Sequence, residues 1–161
     1  MSSAKHNEPA SFLSFRIGTE LFGASVKNVI SILEMTKITK VPKAPEYMKG
    51  VLNLRGNVLP VIDARIKFQI DNTAITENTC ILVMQIGGKS ESLLIGAIVD
   101  SVQEVLQINE DDIQPPPSIG ANYQNQFIHG MVKSKDEFIM LLNVNKLFSE
   151  ESFLEQQEIQ T

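Results

Sequence analysis

Tryptophan is absent from this 161-residue chain, cysteine occurs once and histidine twice. One thiol excludes an intramolecular disulfide, so the fold must be held by its core alone. Cys80 opens the apolar run Cys80-Ile81-Leu82-Val83, which suits a buried, inert thiol in a reducing compartment. His6 and His129 make neither metal-ligand spacing nor an obvious base for a nucleophile. Aromatic residues are only 6% of the chain and the formal charge is −5, which disfavours the basic, aromatic face of a nucleic-acid binder. No apolar run reaches the ~20 residues of a membrane-spanning helix, and Met1 to Pro9 is polar, without the apolar core of a signal peptide. No Gly-x-x-x-x-Gly-Lys-Ser/Thr loop or Gly-x-Ser-x-Gly elbow occurs, and Glu110-Asp111-Asp112 lacks the Gly and distal Glu of a calcium loop. These absences remove the main support for phosphoryl-transfer and hydrolase readings, and predict a cytoplasmic protein whose partners are proteins rather than nucleic acid.

What is present is ordinary globular material. The chain is 43% apolar and 20% charged, enough for one domain or two small subdomains. The most informative stretch is Tyr47 to Phe68, YMKGVLNLRGNVLPVIDARIKF. Two apolar runs flank Arg55-Gly56-Asn57, where Gly and Asn supply the positive φ of a tight hairpin. Asp63 then stands where its carboxylate can cap a helical turn through Phe68. Upstream, Phe12 to Ile17 and Glu20 to Ser25 read as a hairpin around Gly18-Thr19. Val26, Val29, Ile30 and Leu33 fall at i, i+3, i+4 and i+7, which predicts a short helix, although β-branched residues favour strand. Ile38 to Val41 reads as a short strand ended by Pro42 and Pro45. Downstream, Cys80 to Ile86, Ser92 to Asp100 and Val105 to Ile108 are strand candidates. Phe127 to Ser134 and Glu137 to Leu142 form a last hairpin, with Asn143 capping a turn through Phe148. Polar residues 69–78 mark a subdomain boundary, residues 1–10 a disordered leader, and residues 149–161 a helical tail.

The sequence repeats itself. Tyr47, Gly50, Val51, Val58, Val61, Ile62, Asp63 and Phe68 match Phe127, Gly130, Met131, Phe138, Leu141, Leu142, Asn143 and Phe148 at one constant offset. Phe22-Gly23-Ala24, Val26, Val29 and Ile32 match Ile95-Gly96-Ala97, Val99, Val102 and Val105 at a second. Two similar barrel-like halves are expected, each with a strand pair, a Val-rich connector and a hairpin leading into a helical turn. The copies share apolar positions but differ at the turn, where Asn53-Leu54-Arg55-Gly56 faces Lys133-Ser134-Lys135-Asp136. Packing therefore does not require Asn-Leu-Arg-Gly, which points to a surface role there. Periodicity alone reads Val29, Val102, Ile32 and Val105 as core.

From Phe12 to Phe148 the chain resembles the CheW family of chemotaxis coupling proteins. The motifs are Phe12-Leu13-Ser14-Phe15 with Gly18, Ile38-Thr39-Lys40-Val41-Pro42, the run from Tyr47 through Asn53-Leu54-Arg55-Gly56 to Asp63, Ile98-Val99-Asp100-Ser101-Val102, and Gly130 with Leu141-Leu142. The resemblance implies a mainly β protein of two interlocked five-stranded SH3-like barrels over residues 11–148, and a non-enzymatic adaptor without a cofactor. In that family the groove between barrels holds the cytoplasmic tip of a methyl-accepting chemoreceptor, and other surfaces bind the regulatory domain of a histidine kinase. Val29, Gly50, Arg55, Val102 and Val105 match receptor-groove positions, and with Ile32, Asn53 and Gly56 they make the expected receptor-binding set. Kinase-facing residues are not assigned. The expected location is cytoplasmic, recruited to membrane-associated receptor arrays without insertion. The alternative is a coupling protein of another chemosensory pathway, controlling pilus motility or a second messenger. Three positions depart from the family: Ser31 replaces a usual glutamate, with Glu34 nearby, Ala64 a leucine, and Asn143 a common aspartate.

Overall fold

The computed structural model describes residues 9–70, 74–87, 92–115 and 127–148. The tail expected at 149–161, and all but the end of the leader expected at 1–10, lie outside the described residues. Among the described residues, ten strands and two short α-helices follow one another, with a 3-10 turn at Glu110–Asp112 after the eighth strand: β1 (Ala10–Ile17), β2 (Glu20–Ser25), β3 (Val29–Glu34), β4 (Met48–Leu54), β5 (Asn57–Asp63), α1 (Ala64–Lys67), β6 (Cys80–Ile86), β7 (Leu93–Val99), β8 (Ser101–Ile108), β9 (Ile128–Ser134), β10 (Glu137–Leu142) and α2 (Val144–Leu147). The mainly β class read from the sequence is the observed one, with two five-stranded sheets ordered β8-β1-β2-β10-β9 and β3-β6-β7-β5-β4.

The sheets do not follow the repeat. Each takes strands from both halves of the sequence: β1 and β2 join β8, β9 and β10, whereas β6 and β7 join β3, β4 and β5. The expected half-by-half barrels are therefore exchanged. Equivalent pairings survive the exchange, since Val61 opposite Gly96 in the parallel pair β5/β7 corresponds to Leu141 opposite Gly23 in β10/β2. A pair of backbone hydrogen bonds closes each sheet. Thr39 and Val51 exchange bonds of 2.9 and 2.8 Å, tying β4 to the chain that leaves β3, and Gln114 and Met131 exchange bonds of 2.8 Å beyond β8.

Two local readings need correction. The stretch predicted as a helix, Val26 to Leu33, runs into β3, whose burial alternates with period two. Val29, Ile30 and Ile32 are β-branched and find an antiparallel partner in β6, so pairing overrides the helical stripe. Val26 and Ile30, which that stripe would bury together with Val29 and Leu33, are exposed. The other Val-rich connector is likewise a strand, β8, which begins at Ser101 rather than Val105. Ile38 to Val41 contributes only the single bridge at Thr39.

Apolar residues gather in three clusters. One lies in each sheet's own barrel: Leu52, Leu59, Val61, Ile81, Val83 and Ile98 in one, and Phe12, Leu21, Ile108, Val132, Ile139 and Leu141 in the other. The largest draws on both sheets and both helices, from Phe15 and Phe22 through Leu82 and Met84 to Leu147 and Phe148. Buried apolar surface thus welds the two barrels together. Cys80 belongs to this shared core, and burial raises its thiol pKa.

Candidate functional site

Val29 opens β3 opposite Met84, and Val102 lies in β8 opposite Phe15. Both are partly buried against the core shared by the barrels. Three residues further along, Ile32 faces Leu82 and Val105 faces Leu13, and these side chains remain 48% and 58% exposed. Leu33 and Leu106, the next residues of each strand, turn into the separate barrel interiors. The repeat therefore places one valine of each edge strand at the junction of the barrels and leaves an apolar side chain beyond it in solvent. Core packing accounts for part of Val29 and Val102, but not for Ile32 or Val105.

Both edge strands are irregular at the same place. Register slips between Val29 and Ser31 in β3, and opposite Leu13 and Phe15 in β8. At the second slip the Ser14 hydroxyl accepts from Glu104 N–H at 3.1 Å and donates to the Glu104 carbonyl at 2.9 Å, which satisfies a ladder that backbone alone leaves open. Glu104 occupies the repeat position of Ser31. Glu34 stands at the far end of β3, opposite Cys80.

Gly50 has a structural requirement of its own. Its φ is 146°, and a Cβ there would lie 2.0 Å from the Thr39 carbonyl oxygen. It is the point where the chain leaving β3 crosses β4. Asn53, Arg55 and Gly56 form the tip of the β4–β5 hairpin, a two-residue loop with φ of 51° at Arg55 and 87° at Gly56, the signs of a type I′ turn. Asn53 Oδ1 accepts from Gly56 N–H at 2.8 Å and holds the tip closed. Arg55 is exposed, and among the described residues no hydrogen bond or ion pair holds its guanidinium. Of the eight expected residues, the structure sets Val29 and Val102 on one core, keeps Ile32 and Val105 exposed beside them, and leaves the tip a separate feature.

Two features went unread in the sequence. Val58 and Phe138, matched apolar positions of the repeat, are 75% and 47% exposed at the two hairpins rather than buried. Near the start of α1, Asp63 and Arg65 form a buried ion pair. Asp63 Oδ1 accepts from Arg65 backbone N–H at 2.9 Å and from Nε at 3.0 Å, while Oδ2 accepts from Nη2 at 3.0 Å. Arg65 Nη1 reaches Asp100 Oδ1 at 3.4 Å, and Lys49 Nζ lies 4.0 Å from Asp63 Oδ2. The hydrogen bond to Asp63 raises the Arg65 pKa, burial opposes it, and the charges of Asp63 and Asp100 add to it. The cap was legible; the inward arginine was not, because a four-residue helix shows no stripe from which its buried side can be read.

Three comparisons bear on what the chain is. The CheW-like domain model matches residues 11–152. A chemotaxis protein CheW of Klebsiella aerogenes is 31% identical over 140 residues, covering 87% of this chain and 82% of that one. A probable chemotaxis protein CheW of Rhizobium etli is 35% identical over 138 residues, and protein FrzA of Myxococcus xanthus is 31% identical over 138 residues, with 86% and 83% of those chains covered. Among solved structures, the crystal structure of the scaffolding protein TtCheW from Thermoanaerobacter tengcongensis superposes with a TM-score of 0.77 at 33% identity, covering 88% of this chain and 93% of that one. The fold matches that scaffolding protein, the domain model spans most of the sequence, and the chain belongs to the CheW-like domain proteins.

Proposed function

We propose that this chain is a non-enzymatic scaffold that couples the cytoplasmic tip of a chemoreceptor to a chemotaxis histidine kinase. The reading rests on one observation above the others: the two edge strands carry apolar side chains at repeat-equivalent positions that run from the shared core into solvent. An apolar seam of this kind suits the apolar face of a helix, with a few polar groups setting register. The guanidinium of Arg55, without a partner among the described residues, supplies such a group. Relatives named as chemotaxis and scaffolding proteins support the same reading. The scaffold acts by contact, because holding receptor and kinase together lets a receptor rearrangement bias the kinase through differential affinity.

A second reading, a coupling protein of another chemosensory pathway, draws on Ser31 and on a relative that carries the different name FrzA. Co-sedimentation with receptor-bearing membranes, with and without the kinase, decides between them. Receptor-dependent sedimentation with kinase activation supports coupling and names the pathway. Absence across every receptor–kinase set refutes it. Within that assay Val102→Asp should weaken receptor binding more than kinase binding, and Arg55→Glu should impair the ternary assembly while stability changes by no more than about 0.5 kcal/mol.

A further inference from the structure

We infer that the Asp63–Arg65–Asp100 cluster is a positioning device that sets the start of β8, and with it Val102, against the opposite barrel. This rests on the reading of Val102 as receptor-facing.

The argument begins with topology. β7 belongs to one sheet and β8 to the other, and Asp100 is the only residue between them. Asp100 is therefore the joint at which the chain passes from barrel to barrel. Both barrels grip it. From the β8 side, Asp100 N–H donates to the Arg16 carbonyl at 2.9 Å, and Asp100 Oδ2 accepts from Gly18 N–H at 2.6 Å. From the β7 side comes Arg65, whose guanidinium is itself seated on Asp63. Arg65 is 3% exposed and Asp63 fully buried, so neither side chain has room to re-orient. A planar fork bonded along two of its edges transmits position better than a single flexible charge.

Beyond the joint, the β1/β8 ladder is interrupted opposite Leu13 and Phe15, where Ser14 bridges to Glu104. Val102 thus sits on a short span between the joint and this irregularity. Its placement depends on both ends.

The repeat supplies a control. Gly87 follows β6 as Gly18 follows β1, each has positive φ, and Gly87 N–H donates to Asn145 Oδ1 at 3.1 Å. Asn145 stands at the position of Arg65. One neutral amide thus anchors a glycine turn without any charge. The other crossover, from β2 to β3, is also held by neutral groups: Asn28 Nδ2 donates to the Gln85 carbonyl at 2.9 Å, and Gln85 N–H to the Asn28 carbonyl at 2.7 Å. Among the described residues, a charged cluster stands at the crossover that is a single residue leading into β8 and not at the other.

The test is Asp100→Asn in the full chain, which keeps an acceptor for Gly18 N–H and removes the charge facing Arg65. Residue-resolved amide exchange of the free protein should accelerate about tenfold at Ser101–Leu106 relative to β6 and β9. Affinity for receptor-bearing membranes should fall about fivefold, with kinase binding held within about twofold. Uniform acceleration in all strands, or none in β8, overturns the proposal. So does accelerated β8 exchange with receptor affinity unchanged. Should Asp100→Asn fail to fold, Arg65→Lys keeps the charge but loses the fork, and the same readings apply. If the unaltered chain binds no receptor membrane, the coupling function fails, and the exchange pattern still decides whether the cluster holds β8.

Discussion

The two hairpin-and-helix units, Met48–Lys67 and Ile128–Leu147, are built to one plan and differ where that plan leaves freedom. Leu52 opposite Leu59 in the first is Val132 opposite Ile139 in the second, and each pair is buried within its barrel. Each unit ends on a side-chain cap, Asp63 or Asn143. The first, however, caps with a carboxylate that also holds a buried arginine, and it turns on Arg-Gly instead of Lys-Asp. Apolar positions and crossings are thus what the barrels require, whereas the charges and the tip sequence are additions peculiar to one copy.

The largest effect should come from breaking the charged cap. Asp63→Asn retains an oxygen for Arg65 N–H but removes the buried charge on which the guanidinium is seated at 3.0 Å, and should cost about 3 kcal/mol or more in urea unfolding. Asn143→Asp, its mirror in the second unit, should change stability by less than about 0.5 kcal/mol. Equal losses would mean that the cap, not the ion pair, distinguishes the units.

Next come the crossings. A Cβ on Gly50 meets a backbone oxygen at 2.0 Å and the φ there is 146°, so Gly50→Ala should cost about 2–4 kcal/mol. At Gly130 a Cβ first meets Ile113 Cγ2 at 2.4 Å, a side chain that can move, and then the Gln114 oxygen at 2.9 Å. No left-handed φ constrains Gly130, so Gly130→Ala should cost only about 1–2 kcal/mol. Denaturant midpoints of the two variants measure the difference. Any effect of Gly50 substitution on receptor binding has to be separated from this loss of fold.

How much of this was legible follows from which signals are local. Strand alternation, a reversal at Arg55-Gly56 and the caps at Asp63 and Asn143 are set within a few residues, and the sequence showed them, although the positive φ expected at Gly56 and Asn57 falls on Arg55 and Gly56, with Asn57 already in β5. β3 was misread because Val26, Val29, Ile30 and Leu33 fit a helical stripe, and only the presence of β6 as a partner decides against it. The exchange of strands between halves leaves no local trace, since a repeat shows that two segments are alike and not which of them pair. For the same reason the exposure of Val58 and Phe138 went unread: a shared apolar residue looks identical whether it is buried or presented. Resemblance supplied the candidate set, and geometry sorted it into junction valines, an obligatory glycine and an open tip.

The tip gives a smaller contrast. Asn53→Ala removes the side-chain acceptor of Gly56 N–H and should cost about 1 kcal/mol. Lys133, at the same place in the second hairpin, makes no such bond among the described residues, and Lys133→Ala should fall within about 0.5 kcal/mol. Matching losses would show that the Asx bond adds nothing to a turn already favoured by Gly56.

The smallest effect reverses the asymmetry, because here the second unit carries the charge. Arg16 of β1 forks onto Glu137 of β10, with Nη2 to Oε1 at 2.6 Å and Nη1 to Oε2 at 3.0 Å, whereas the first unit has Asn57 at the matching position. The hydrogen bond from Arg16 lowers the Glu137 pKa, its charge adds to this, and desolvation opposes it. A carboxylate with a lowered folded-state pKa contributes stability above its unfolded pKa of about 4.3 and loses that contribution as pH falls toward the folded value. Glu137→Gln should therefore be slightly less stable than the unaltered chain near neutral pH, and the gap should close below about pH 4.3. High salt should narrow it as well, since both side chains are partly exposed. A gap that persists unchanged into acid would mean that Glu137 acts through packing on β10 and not through its charge.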